Sequence, residues 1–368
     1  MNKINVALIF GGKSGEHEVS LSSATSIYKF IDKEKYNVFT IGITKEGNWL
    51  YYEGDVENIK NGTWEKTANK NVNINLIPTI NKNIGIEFEN GKFEKIDVLF
   101  PALHGPYGED GSIQGLFEIS NIPYVGCGVL SSSVGMDKLI CKKVFEQENL
   151  PQVKYTYTTK WDFNKNKDKV LEEIEKEISY PIFIKPANLG SSVGISKAKN
   201  REDLINGINE ALKYDKRIVL EQGIDAREVE VSVLGNEEVY ASVPGEIIPA
   251  KEFYDYEAKY LNESSKLLIP AKIDNKIIDE IKNMAVKAFK AIDGSGLSRV
   301  DFFIEKNTDN IYINEINTMP GFTNISMYPK LWEATGISYS NLIDKLIQLA
   351  IKRYTDKCIT HLGSCKIE

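Results

Sequence analysis

The chain has 368 residues, 42% of them hydrophobic and 26% charged, with a net charge of −7. That length buries a large core in two or three domains, and acids interleaved with lysines exclude a phosphate-backbone binder, so no nucleic-acid partner is expected. No apolar run approaches the roughly 20 residues of a bilayer-spanning helix, and no signal-peptide layout precedes the first strand pattern, so no membrane partner and a cytoplasmic location are expected.

Asn5 to Phe10 is a continuous apolar run ahead of Gly11-Gly12-Lys13-Ser14-Gly15-Glu16, and Ser20 to Ile31 has apolar residues at helical spacing. Tyr36 to Ile43 and Val98 to Leu103 add buried strands, which predicts a parallel sheet wrapped by helices. The glycines match neither the dinucleotide Gly-x-Gly-x-x-Gly nor a Walker spacing. Lys45 to Lys95, rich in Asn, Lys and Gly, reads as hairpins or a loosely built insertion. His104 to Gly115 then sets an imidazole and two acids among four glycines, which reads either as a site or as a tight surface turn with solvated acids.

Helices are predicted over Asp137 to Asn149 and Val170 to Ile178, followed by strands at Ile182 to Ile184, Arg217 to Glu221, Glu228 to Leu234 and Val239 to Val243. A long amphipathic helix at Ile277 to Ile292 precedes an expected antiparallel pair, Val300 to Ile304 with Ile311 to Ile316. Ser340 to Lys352 is a closing helix, and Tyr354 to Glu368, without periodicity or a clear cap, is expected to be a mobile tail. Cys127, Cys141, Cys358 and Cys365 show no paired spacing and read as reduced thiols.

Three segments carry chemistry. Lys185 stands at the base of Asn188-Leu189-Gly190-Ser191-Ser192-Val193-Gly194, whose N–H groups and hydroxyls suit a polyphosphate; the alternative is a polar hairpin satisfying itself. Residues two apart on a strand share a face, so Arg299 pairs with Asp301 and Glu315 with Asn317. Two carboxylates and an amide oxygen suit a hard cation, magnesium before zinc, with substrate phosphates completing the shell; a plain Arg–Asp ion pair is the alternative. Gly321, in the loop after these residues, would bring an N–H near reacting atoms, and the aromatic, charged run Lys251 to Tyr260 reads as a covering loop or a surface loop without a role.

These residues resemble the D-alanine–D-alanine ligases of the ATP-grasp superfamily. The likeness rests on Gly11 to Ser20, Leu103-His104-Gly105 with Gly108 to Gly111, Met136-Asp137-Lys138, Gly190 to Gly194, Tyr254 to Tyr260, Arg299-Val300-Asp301 and Asn314 to Gly321. It implies an α/β chain, α+β in its C-terminal parts, with the ATP-grasp fold and an N-terminal Rossmann-like domain. The implied divisions are 1–127, a central subdomain 128–222, a C-terminal subdomain 223–353 with a lid loop at about 245–264, and a tail 354–368.

The implied reaction joins two D-alanine molecules with ATP through an acyl phosphate, for peptidoglycan precursor synthesis. By resemblance, Lys138, Lys185 and Ser192 hold ATP phosphates together with Lys259, Glu221 meets the adenine side and Glu228 the ribose. Asp301, Glu315 and Asn317 bind two magnesium ions, with manganese as a substitute. Glu16 takes the first substrate's ammonium, linked to Ser191 and Tyr260. His104 lies near its carboxylate, and Ser326, Met327 and Lys259 line the substrate site. Arg299 and the Gly321 N–H stabilise the tetrahedral oxyanion. A homodimer built through the N-terminal part is also implied. A D-alanine–D-serine or D-alanine–D-lactate ligase and a catalytically silent nucleotide-binding scaffold remain as alternatives.

Overall fold

The computed structural model describes residues 3–76, 84–248 and 266–362. The first sheet contains β1 (Ile4–Gly11), β2 (Tyr36–Ile43) and β3 (Trp49–Tyr52). After a small antiparallel sheet of β4 (Asn73–Asn75), β5 (Gly85–Glu87) and β6 (Phe93–Lys95), the chain returns as β7 (Val98–Ala102) to complete the order β3-β2-β1-β7. β1 runs parallel to β2 and β7, and β3 is an antiparallel edge. Val6, Leu8 and Phe10 enter one core and Ala7 and Ile9 another, so both faces are covered and β1 reads as an unbroken apolar run.

Of the two readings of Lys45 to Lys95, the described residues favour hairpins, with β4, β5 and β6 paired antiparallel. Trp64, in a short 3-10 turn, is fully buried edge-on against Phe10, 5.0 Å between ring centroids. Gly42 makes room: a Cβ there would lie 2.3 Å from the Trp64 ring. One aromatic anchors a polar stretch that carries no periodicity.

The second sheet comprises β8 (Tyr155–Thr159), β9 (Ile182–Pro186), β10 (Ser196–Ala198) and β11 (Arg217–Gln222), antiparallel in the order β10-β9-β11-β8. Helices Lys167–Glu177 and Arg201–Ala211 bury Leu171, Ile174, Leu204 and Ile208 against Ile184, Ile218 and Leu220. Alternation turns Lys185 and Glu221 to the opposite face.

The third sheet holds β12 (Ala226–Gly235), β13 (Val239–Ala241), β14 (Gly245–Ile248), β15 (Lys266–Leu268), β16 (Gly296–Glu305) and β17 (Ile311–Asn317), ordered β15-β14-β12-β16-β17 with β13 on β12. Helix Asn275–Ala291 covers Val229, Val231, Val300, Phe302 and Ile304. The other face of this sheet and the free face of the second share one cavity, the two-sheet arrangement expected of an ATP-grasp fold.

The closing helix runs Tyr339–Leu362, past the expected end at Lys352, which corrects the reading of a tail from Tyr354. Its extra turns are held by polar contacts instead of an apolar stripe. Arg353 donates to Tyr124 O at 3.0 Å and Ser295 Oγ at 2.6 Å, and Lys357 pairs with Glu118. Cys358 is buried there. The same helix contributes Leu342, Ile343, Leu346 and Ile347 to the core beneath β1 and β7.

Candidate active site

The cavity between the two antiparallel sheets has a volume of about 780 Å³. Its floor follows from strand register. Across β12, β16 and β17, Glu230 lies opposite Asp301, Asp301 opposite Glu315, and Arg299 opposite Asn317. Directly opposed residues share a face, so Glu228, Glu230, Arg299, Asp301, Glu315 and Asn317 are displayed together while Val229, Val231, Val300 and Ile316 fill the core behind. The expected same-face pairs therefore meet across the hairpin.

Arg299 and Asp301 are paired on this face, each only slightly exposed. Arg299 Nε donates to Asp301 Oδ1 and Nη2 to Oδ2, both at 2.7 Å. Glu230 Oε2 lies 3.0 Å from Arg299 Nε on the other side. Asn317 Oδ1 accepts from Met319 N at 3.1 Å, which leaves a lone pair. Among the described residues, no three His, Cys, Asp or Glu side chains form a metal cluster. Two carboxylates and one amide on a single face fit magnesium once phosphate oxygens complete the shell, with the Arg299 charge beside Asp301 working against the cation. The donor set is that of a hard cation shared with a polyphosphate.

Opposite stand the lysines. Lys185 Nζ lies 2.7 Å from Glu221 Oε2, and Lys142 Nζ 2.9 Å from Glu221 Oε1, with Lys142 and Glu221 buried and Lys185 partly so. Burial alone would raise the Glu221 carboxyl; the two lysines outweigh it and hold the group down at about 2. Burial likewise works against charge on Lys185, but Glu221 overcomes it and raises that pKa. Lys138 opens helix Lys138–Gln147, capped by Asp137, and reaches Leu189 O at 2.6 Å at the root of the glycine loop. In that loop Ser191 and Ser192 hold φ of 53° and 58°, left-handed values that bulky residues resist.

The N-terminal sheet supplies the remaining wall. Ser14 Oγ donates to His104 O at 2.6 Å and accepts from Glu16 N at 3.2 Å, which sets Glu16 at the cavity, where Ser191 Oγ donates to its carboxylate. Gly105, at φ 73°, permits this approach, since a Cβ there would sit 2.6 Å from Glu16 Oε2. Glu109 accepts Gly105 N–H at 2.9 Å; burial first, then the Glu16 charge, push its carboxyl up to about 8. His104 is buried off the cavity wall. Its Nδ1 donates to Met319 O at 3.0 Å, so its Nε2 takes the Ser23 hydroxyl at 2.9 Å, while Ser23 Oγ accepts Phe322 N–H at 3.1 Å. Desolvation lowers the His104 pKa, consistent with the neutral ring this network requires.

Glu16, Lys138, Lys185, Ser191, Ser192, Glu221 and Glu228 thus line the cavity with Arg299, Glu315, Asn317, Gly321, Ser326 and Met327, with Asp301 paired to Arg299, whereas His104 is buried behind. Lys259 and Tyr260 lie outside the described residues. Three participants escaped the sequence reading. Lys142 is four residues after Lys138 on one helix face, and Glu230 two after Glu228 on one strand, so periodicity held both signals. Glu109 was visible only as an acid among glycines.

Comparison with known proteins agrees with this geometry. The family described as D-ala D-ala ligase N-terminus matches residues 5–127, and that described as D-ala D-ala ligase C-terminus matches residues 144–348. The D-alanine–D-alanine ligase of Acetivibrio thermocellus is 53% identical over 367 residues, covering 96% of this chain and 98% of that protein. D-alanine–D-alanine ligase B of Clostridium tetani is 55% identical over 355 residues, covering 95% and 94%. Among solved structures, the VanG D-Ala:D-Ser ligase of Enterococcus faecalis has a TM-score of 0.84 at 38% identity, covering 95% of this chain and 100% of that one. The D-alanine–D-alanine ligase of Coxiella burnetii also scores 0.84, at 34% identity, covering 97% and 96%. Matches to both halves, and identity above half across nearly the whole length, settle the family: the chain belongs to the D-alanine–D-alanine ligases.

Proposed function

We propose that this chain joins two D-alanine molecules into D-alanyl-D-alanine at the expense of ATP, in the supply of peptidoglycan precursors. The observation that carries the reading is one cavity bringing lysines, a glycine–serine loop, oxygen donors, Arg299 and the Glu16–Ser191 pair together. In the first step a D-alanine carboxylate oxygen attacks the γ-phosphorus and ADP leaves, giving an acyl phosphate. In the second, the amine of the other D-alanine attacks that carbonyl, loses a proton and expels phosphate. Phosphoryl transfer asks for alignment and neutralised charge, and both are supplied by residues already in place.

Lys138, Lys185 and Ser192 grip the phosphates, with Glu221 toward the adenine and Glu228 toward the ribose. Asp301, Glu315 and Asn317 would hold two magnesium ions, which supply charge neutralisation on the phosphates; manganese can substitute. Glu16, oriented by Ser191, receives the first ammonium. Arg299 and Gly321 N–H face the oxyanion, where one such donor contributes about 3 kcal/mol. His104 acts through the loop it anchors, and Ser326 and Met327 bound the second substrate. Lys259 and Tyr260 close the lid, since an acyl phosphate must be kept from water. We also place the division points near residues 127 and 222, the working form as a homodimer, and the location in the cytoplasm; no described helix is long and apolar enough to cross a membrane.

A second reading, D-serine as the acceptor, is favoured by one observation, the likeness to the Enterococcus faecalis D-Ala:D-Ser ligase. Phosphate release from ATP, measured with D-alanine alone and with D-serine or D-lactate added, separates the readings. Release dependent on D-alanine, with the dipeptide as product, is expected. No release under any condition would leave only a silent scaffold, and a mixed product would move the acceptor to D-serine or D-lactate.

A further inference from the structure

Arg299 faces a conflict of duties. Its guanidinium clasps both Asp301 oxygens, at 2.7 Å each, yet these are the oxygens a cation at the β16–β17 hairpin must take. A divalent ion on those oxygens would stand close to the guanidinium, and the repulsion between the two positive charges works to loosen Arg299 from Asp301. A buried guanidinium released without another counter-charge would be costly.

Glu230 occupies the place where that counter-charge is needed. It sits on β12 directly opposite Asp301, is 7% exposed, and its Oε2 lies 3.0 Å from Arg299 Nε. The Nε–H is spent on Asp301, so Glu230 is an ion-pair neighbour that a small rotation of the guanidinium would turn into a hydrogen-bond acceptor. Glu230 also lines the cavity beside Arg299. A guanidinium handed from Asp301 to Glu230 therefore stays beside the reacting centre, and Asp301 is exposed to its cation in the same movement.

We propose that Glu230 is a positioning residue, the carboxylate that receives Arg299 when cations claim Asp301, so that metal loading and placement of the guanidinium become one event. This rests on the cation-site reading of Asp301 given above. Linkage sets the direction of the effect: without Glu230, Arg299 loses a neighbouring carboxylate, leans harder on Asp301 and competes harder with the cation.

The test measures Mn2+ binding to the protein–ADP complex by calorimetry, in the parent and in Glu230→Gln, Arg299→Gln and the double variant. Glu230→Gln is expected to weaken Mn2+ about tenfold, and less than about twofold in the Arg299→Gln background. An equal loss in both backgrounds would assign the effect to the field of Glu230 on the metal and overturn the proposal, as would no loss in either. Glu230→Asp, which keeps the charge, is expected to stay within about threefold of the parent; a loss as large as that of Gln overturns the role of charge. ADP affinity in EDTA should be unchanged in every variant, and its loss in Glu230→Gln would make the residue merely structural. Turnover gives an independent readout: the kcat deficit of Glu230→Gln should shrink in excess magnesium, with KM for D-alanine little changed. Asp301→Asn distinguishes the two readings, because Mn2+ binding unaffected by that change would sink the cation site itself, whatever Glu230 does.

Discussion

Two carboxyl groups, Glu16 and Glu109, stand together at one end of the cavity, and the structure treats them differently. Glu16 receives a hydroxyl donor from Ser191; Glu109 has the Gly105 N–H and is otherwise walled in, which lifts it to about 8. A carboxyl raised from its ordinary value in the native state stabilises fully below its unfolded pKa. That contribution is lost as pH climbs through about 8, since the unfolded chain ionises first. Glu109→Gln keeps an oxygen for Gly105 and removes the ionisation. It should gain of order 2 kcal/mol over the parent at pH 8 and little at pH 5, read from thermal melts at both values. An identical difference at the two pH values would mean that Glu109 is charged throughout.

At the scale of elements, helix Lys138–Gln147 shows how local chemistry aims a lysine. Asp137 accepts Ile140 N–H at 3.0 Å as the N-cap and also pairs with Arg217 of β11, so one side chain fixes both the start of the helix and its position on the sheet. Asp137→Ala should cost about 2 kcal/mol in urea unfolding and raise KM for ATP by moving Lys138; Asp137→Asn, which can still cap, should cost about half as much. A loss of equal size in both would place the whole effect in the Arg217 pair. The elements themselves were largely readable. β1, β9, β16 and β17 alternate or run apolar according to what covers them, and the pairing of Arg299, Asp301, Glu315 and Asn317 follows from period two. What stayed hidden depends on partners distant in the chain. Trp64 looks unremarkable in a polar stretch until Phe10 and Gly42 are beside it, and Arg353 looks like the end of a helix until Tyr124 and Ser295 meet it. At the candidate site, Lys142 and Glu230 were legible by spacing, whereas the withdrawal of His104 behind Gly105 depends on Ser23 and Met319, which no local pattern links.

Over the whole molecule, Arg353 is the fastening between the last helix and the rest. Besides Tyr124 O and Ser295 Oγ it reaches Gly126 O, and its guanidinium lies 4.4 Å from the Tyr124 ring centroid. Arg353→Ala should lower stability by about 2–3 kcal/mol, and Lys should restore little because it lacks the planar fork. A denaturant series on both variants checks this; full rescue by Lys would show that charge alone suffices. The core beneath β1 and β7 is finished by Leu342, Ile343, Leu346 and Ile347 of that same helix. On the ribosome, then, the helix after β1 covers only part of the greasy side of the first strands, and at about 5–20 residues per second the rest stays bare for tens of seconds until the final helix is made. The opening third of the polypeptide is written early and sealed last, which makes its nascent form a natural client for holding factors.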